Sequence, residues 1–110
     1  MRIWDLEPHK LCRNHLLGEH RELHAIWEIL TNNKTGYSRH PETMRWKGKL
    51  RALYLRHQKL VKEMKKRGYE HKSPLQENKA IGLSRQNIFI ATYEEQLEML
   101  GNKKCECDTK

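Results

Sequence analysis

The stretch PETMRWKGKLRALYLRHQKLVKEMKKRG, residues 41–68, decides the fold, because it combines helix-boundary signals with a continuous apolar stripe. Pro41 suits the first turn of a helix, where a missing N–H group costs nothing. Gly68 follows three cations, which is typical of a helix C-terminus. Between these signals apolar residues recur at helical spacing, namely Trp46, Leu50, Leu53, Tyr54, Leu60, Val61 and Met64. We therefore predict one long helix that Pro41 opens and Gly68 ends.

Helical patterns also occur on both sides of this stretch. Residues 11–30 carry apolar side chains at helical spacing, and the turn-forming run TNNKTG follows at residues 31–36. Residues 92–95, TYEE, fit a capping box that begins a short helix to about Leu100. Residues 1–10 are predicted to be irregular and residues 70–91 to form an ordered loop. The sequence thus predicts an all-α fold, a compact three-helix single domain with an irregular N-terminal segment and long loops.

Several residues are predicted to belong to the core of this domain. Large aromatic side chains bury the most apolar area, and Cys12 and His57 lie on apolar faces of the predicted helices. The aromatic core anchors are Trp4, Trp27 and Trp46, of which Trp4 could also wall a pocket.

The composition limits the class of protein. A chain of 110 residues fits one domain, which we expect over residues 1–100, followed by a polar, flexible tail over residues 101–110. Only 36% of the residues are apolar, so the core is thin, and no run approaches the roughly 20 apolar residues that cross a bilayer. There is no secretory signal pattern, and three cysteines do not make a disulfide framework. We expect a cytoplasmic, intracellular protein without membrane association or an obligate protein partner.

The positive charge is concentrated in one part of the chain. Residues 41–67 hold ten Lys or Arg and two Glu, which alone equals the net charge of +8 of the whole chain. Four of these cations lie within about 80° of one another around the axis of the predicted helix, on its polar side, namely Arg51, Lys59, Lys62 and Lys66. Such a face indicates binding to a polyanion, most often nucleic acid. Contacts with phosphates would give this binding no sequence specificity. The alternative is a solvated lysine-rich face, and an anionic membrane is disfavoured because the helix lacks an aromatic-rich apolar side.

The first predicted helix contains an unusual set of polar residues. His15, Glu19 and Glu22 share one face beside the apolar stripe, although two carboxylates at this spacing repel each other. Gly18 in the same helix costs roughly 1 kcal/mol relative to alanine. Local rules that are broken together indicate a site. The alternatives are a surface ion-pair cluster and a metal site, and the tail residues Cys105, Cys107 and Asp108 form only a weak metal motif, so we predict no metal and no cofactor.

Several short motifs occur in a characteristic order. They are Arg2-Ile3, His15-Leu16, Glu19, Arg21-Glu22-Leu23, and Leu60 through Lys66-Arg67-Gly68-Tyr69. In this order and spacing they resemble the pyrimidine dimer DNA glycosylases over about residues 1–70.

This resemblance implies a mostly helical fold, excision of damaged pyrimidines and strand cleavage at the resulting abasic site. In that family the terminal α-amine attacks the sugar C1′ atom, and the Schiff base then undergoes β-elimination. The resemblance implies Met1 as the nucleophile and Glu22 as the acid–base group. It implies that Arg2, His15 and Arg21 line the site or contact DNA. The partner would be double-stranded DNA with damaged pyrimidines or abasic sites.

The chain also departs from the family pattern. The family's nucleophilic threonine is absent, and Arg2 is too bulky for methionine removal, so we expect the Met1 amine to take that place. His24 and Ala25 stand where a proline and an arginine occur in the family, so we expect one DNA contact to be missing. The aromatic, basic C-terminal segment that the resemblance ties to lesion recognition has no counterpart here, which leaves the preferred lesion open. Two further functions remain alternatives, a non-catalytic helical DNA-binding protein and a lyase for other lesions or abasic sites.

Overall fold

The computed structural model describes residues 2–36, 39–71, 74–103 and 107. It contains α1 (Arg13–Asn32), α2 (Pro41–Met44), α3 (Leu50–Lys66) and α4 (Tyr93–Gly101), with 3-10 turns at Pro8–Lys10 and Glu77–Lys79. No β-strand occurs among the described residues, and the only pairing there is an isolated bridge between Lys49 and Gly82. The predicted all-α class is confirmed.

The helix ends follow the sequence signals. Thr92 accepts a hydrogen bond from the Glu95 N–H at 3.1 Å, and the Glu95 carboxylate accepts one from the Thr92 N–H at 3.0 Å, so the capping box is present. Gly68 has a φ of 83°, and the following Tyr69 N–H reaches back to the Met64 carbonyl at 2.9 Å. This is the glycine-ended helix terminus that the sequence predicts.

The prediction of one continuous helix after Pro41 is wrong. The chain forms the single turn of α2, then a turn over residues 45–49, and only then α3, so the described residues contain four α-helices instead of three. Gly48 has a φ of 72°, which interrupts the α-helical backbone. Trp46 is therefore a buried residue of this turn and not a member of the apolar stripe of a helix.

The loop before α4 stabilises this interruption. The Ile81 carbonyl accepts a hydrogen bond from the Arg51 N–H at 2.9 Å, and the Leu83 carbonyl accepts one from Ala52 at 3.1 Å. These contacts satisfy donors in the first turn of α3 that have no partner within the helix. Gly82 has a φ of 90°, and a Cβ atom there would collide with the Gly48 carbonyl, so only glycine fits. A contact between distant parts of the chain thus sets where α3 begins.

The core lies between α1 and α3 and includes the N-terminal segment. Helices α1 and α3 supply its fully buried side chains, among them Leu16, Leu23, Ile26, Leu53 and Leu60. The segment before α1 adds Ile3, Leu6 and Leu11, each no more than 2% exposed. The three tryptophans are buried, as predicted. Cys12 is only half-buried and occupies the N-cap position of α1 without a capping hydrogen bond from its side chain, so its assignment to the core is wrong.

The domain and tail boundaries are not tested by the structure. Of the tail predicted over residues 101–110, only residues 101–103 and 107 are described, and Gly101 is the last residue of α4. No helix in the described ranges combines the length and apolar character needed to cross a membrane.

Candidate active site

The N-terminal segment is extended, and side chains from the helices hold its backbone. The Ile3 N–H donates to Glu42 Oε1 at 3.0 Å and the Trp4 N–H to Glu19 Oε1 at 3.0 Å. The Asp5 N–H donates to Gln96 Oε1 at 2.7 Å. Since a buried backbone group without a partner is costly, these side chains supply what a neighbouring strand would supply in a sheet.

Two arginines complete this support from the carbonyl side. Arg45 is buried, donates to the Ile3 carbonyl at 2.9 Å and pairs with Glu42 at 2.7 Å and Asp5 at 3.1 Å. Arg56 donates to the Leu6 carbonyl at 2.8 Å. N–H and carbonyl groups of this segment are therefore both bonded, which fixes the course of residues 3–6 over the helices.

A cleft of about 620 Å³ opens beside the first residues of this segment. Its lining consists of Arg2, Trp4, Asn14, His15, Gly18, Glu19, Glu22, Met99, Asn102 and Lys103. The Arg2 guanidinium lies 5.1 Å from the Trp4 ring centre, and the Trp4 and His15 rings meet edge to face with centres 6.0 Å apart. The predicted site residues Arg2, His15 and Glu22 therefore share one cleft with Trp4, the tryptophan expected to wall a pocket.

The two carboxylates of α1 occupy different environments. Glu19 is 2% exposed and accepts hydrogen bonds from Arg56 at 2.7 and 3.0 Å as well as from the Trp4 backbone. Burial raises the pKa of Glu19, while Arg56 and the backbone N–H group favour its charged form. Glu19 is thus a structural group whose hydrogen-bonding capacity is used by the fold.

Glu22 differs from Glu19 in that its carboxylate has no hydrogen-bond or ion-pair partner among the described residues. It is half-buried and lines the cleft one turn of α1 beyond Gly18. A Cβ atom on Gly18 would meet nothing within 4 Å, so the cleft passes directly over the helix backbone there. Glu22 is therefore the carboxylate that can act on a molecule in the cleft.

His15 connects the cleft to two cysteines. Its Nδ1 atom lies 3.2 Å from Cys12 Sγ and 3.2 Å from Cys107 Sγ. Burial, and to a smaller extent the charge of Lys103, lowers the pKa of His15. The imidazole is therefore neutral at pH 7 and contributes hydrogen bonds to the cleft without charge.

Some predicted site residues lie elsewhere. Met1, the predicted nucleophile, lies outside the described residues, as do Cys105 and Asp108 of the weak metal motif. Arg21 is exposed on α1 and does not line the cleft. Arg51 is half-exposed in the first turn of α3, with its guanidinium 3.7 Å from Glu77.

The lysines of α3 form a separate surface. Lys59, Lys62 and Lys66 are exposed, and the first two line a groove of about 520 Å³ that shares no lining residue with the cleft. The Glu19–Arg56 pair joins the wall of the cleft to the wall of this groove.

Four other cations of residues 41–67 instead bond to the protein itself, namely Arg45, Lys49, Arg56 and Arg67. Sequence reasoning counted all ten as one positive field, and it missed these internal roles because charge alone does not reveal burial.

The structure also groups residues that could hold a metal ion. His20, His24, His57 and His71 bring their ring nitrogens within 4.8 Å of one another, and Cys12, His15 and Cys107 form a second group by the same measure. The sequence indicated neither group, since His71 lies outside any helical pattern and Cys107 lies in the tail.

One family of known proteins matches most of the chain. The family model described as pyrimidine dimer DNA glycosylase matches residues 1–77, which include α1, α2, α3 and the whole N-terminal segment. The chain belongs to the pyrimidine dimer DNA glycosylase family. Comparisons with curated proteins and with solved structures found no match.

Membership of this family implies DNA-repair glycosylase activity on DNA that contains damaged pyrimidines. The resemblance found in the order of the sequence motifs is thereby confirmed. The match ends at residue 77, so the loop after it and α4 lie outside the matched region although Met99 and Lys103 line the cleft of this glycosylase.

Proposed function

We propose that this glycosylase removes the damaged base through a Schiff base on the α-amine of Met1 and then cleaves the strand by β-elimination. The observation that carries the proposal is the cleft in which Arg2 and Glu22 lie together. The nucleophile is one peptide unit before Arg2 in the chain. The enzyme acts on double-stranded cellular DNA, at damaged pyrimidines and at the abasic sites that their removal leaves.

An α-amine is suited to this reaction because only an unprotonated nitrogen attacks. With a reference pKa of about 7.7–8.0, roughly 10–15% of such an amine is unprotonated at pH 7, against about 0.04% of a lysine. The Arg2 guanidinium disfavours a second positive charge nearby and so favours the neutral amine. This advantage over lysine requires no deep burial.

The reaction joins the amine to the sugar before the strand breaks. The amine nitrogen bonds to C1′ as the bond from C1′ to the base breaks, and the base leaves with the electron pair and a proton. Glu22 assists opening of the sugar ring by proton transfer, which leaves an iminium at C1′. Loss of a C2′ proton then expels the 3′ phosphate, and water releases the sugar fragment from the amine. His15 and Arg2 bind the sugar-phosphate, and Arg21 contacts DNA beyond the cleft.

To reach C1′ the enzyme must extrude a nucleotide, which costs a few kcal/mol and least where a lesion weakens stacking. Lysines that contact phosphates can offset this cost by holding a bent duplex. We assign this role to the exposed Lys59, Lys62 and Lys66 and to the half-exposed Arg51 on the polar side of α3.

Borohydride trapping tests the proposal. Reduction during turnover should link the protein to dimer-containing or abasic duplex, and peptide mapping should place the adduct on the first residue. Acetylation of the α-amine should abolish both trapping and strand cleavage. An adduct on a lysine would overturn the assignment of Met1. No adduct at all would favour a helical DNA-binding protein, and trapping on abasic but not dimer duplex would favour a lyase for other lesions.

Glu22→Gln separates chemistry from binding. It should lower the rate of base release about 10²–10⁴-fold while the affinity for dimer-containing duplex stays unchanged. Glu28→Gln is the matched control, since Glu28 is an exposed carboxylate of the same helix outside the cleft. An equal loss of binding and base release in Glu22→Gln would refute a catalytic role.

A further inference from the structure

Four histidines from three parts of the chain converge between α1 and the end of α3. His20 and His24 lie one turn apart on α1, His57 lies on α3, and His71 follows α3. All four ligand nitrogens lie within 4.8 Å of one another. We propose that this cluster is a structural site for a divalent transition-metal ion, zinc first, which ties α1 to α3 and to the segment after it.

Two of the distances between the nitrogens are close to those of a tetrahedral site. Nε2 of His57 lies 3.2 Å from Nε2 of His24, and Nε2 of His71 lies 3.1 Å from Nε2 of His20. Zinc–nitrogen bonds of 2.0–2.1 Å place two tetrahedral ligands about 3.3–3.4 Å apart. The two pairs are within about 0.3 Å of this spacing, and the longest separation needs to contract by at most about 1.5 Å.

The surroundings of His57 prepare it as a ligand. It is fully buried, and its Nδ1 atom lies 2.9 Å from the side-chain amide oxygen of Gln58. Since that oxygen only accepts hydrogen bonds, Nδ1 carries the proton and Nε2 presents its lone pair to the cluster. A hydrogen bond at the far nitrogen is the usual partner of a metal-binding histidine.

The number of nitrogen ligands agrees with a structural metal ion. Each of the four histidines offers one ring nitrogen, and neutral imidazole is the form that binds a metal. Four protein nitrogens would fill a tetrahedral ion, which is the arrangement of structural zinc sites and not of catalytic ones.

Metal content measured on the untagged protein tests this site. We expect one zinc ion per chain, and cobalt should give the visible absorption of a tetrahedral nitrogen site without thiolate charge transfer. His20→Gln and His71→Gln remove half-buried ligands, so the fold should persist. Loss of a hydrogen-bond partner of a ligand already lowers metal affinity about 10- to 100-fold, so loss of the ligand itself should lower zinc affinity more than about 100-fold. Gln58→Ala should weaken zinc binding by that smaller factor.

Two matched variants locate the ion. His9→Gln alters an exposed histidine outside the cluster, and Cys107→Ser alters the other candidate group, so both should retain stoichiometric zinc. Zinc at about 1,000 times its Kd should raise the melting temperature of the original protein by about 15 °C but not that of His71→Gln. The proposal is overturned if the original protein binds no zinc, if His20→Gln and His71→Gln retain it, or if Cys107→Ser loses it. None of these readouts depends on glycosylase activity.

Discussion

Gly18 offers a prediction in which stability and activity change in opposite directions. It occupies the interior of α1 without a positive φ, and a Cβ atom there would meet nothing within 4 Å. Gly18→Ala should therefore stabilise the helix by about 1 kcal/mol. For a domain of this size that amounts to a rise of about 3–5 °C in the melting temperature, which thermal unfolding followed by circular dichroism measures directly.

The same methyl group should impair base excision. Gly18 lines the cleft together with Glu22, so the added group occupies space above the helix backbone where we place the sugar. Overpacking costs about 1–3 kcal/mol, which corresponds to a loss of about 5- to 150-fold in kcat/KM. Single-turnover excision from a duplex with one pyrimidine dimer would measure it.

Ala25→Gly is the matched control for this experiment. Ala25 lies two turns further along α1 and does not line the cleft, so the change should cost about 1 kcal/mol and leave excision unaltered. Full activity in a stabilised Gly18→Ala protein would refute the idea that this glycine keeps room for the substrate. A lowered melting temperature would instead refute the open space above the helix.

Three further changes test the DNA-binding surface and the internal contacts. Replacing Lys59, Lys62 and Lys66 together by alanine should weaken binding to any duplex. The slope of log K against log salt concentration should fall in magnitude by about 0.9 for each phosphate that the protein no longer neutralises. An unchanged slope would refute the assignment. Arg56→Ala leaves the buried Glu19 carboxylate without its cation and should lower the free energy of unfolding, measured in urea, by about 3–5 kcal/mol. Arg51→Ala, at a half-exposed pair, should lower it by at most about 1 kcal/mol. Similar losses in both variants would contradict the burial argument. Thr92→Ala removes the cap of α4 and should cost about 1 kcal/mol, with Thr92→Ser as the tolerated control.

Local signals predicted the helix ends but not the break inside residues 41–67. The capping box at Thr92 and the glycine at residue 68 act within one turn of chain, so sequence alone reveals them. Gly48 gave a weak signal, since one glycine costs a helix only about 1 kcal/mol. What sets the start of α3 is the approach of Gly82 to Gly48, a contact between residues 34 positions apart that no periodicity contains.

From residue spacing alone, the site was predictable only as far as it lies on one helix, and Arg2 was predicted from the family resemblance. His15 and Glu22 were placed on a common face by their spacing in α1, and the cleft contains both. The different roles of Glu19 and Glu22 depend on Arg56, which comes from another helix. Spacing also could not reveal that His71 meets the histidines of α1 and α3, because the turn after Gly68 determines its position.

The hydrogen bond from the Asp5 N–H group to Gln96 joins the first part of the chain that is synthesised to one of the last. A ribosome makes the first ten residues long before α4, which contains Met99 of the cleft wall, and Lys103 of that wall follows α4. The pocket is therefore assembled only when translation has passed residue 103. A nascent chain whose first residues have already emerged therefore still lacks the part of the cleft wall that Met99 and Lys103 supply.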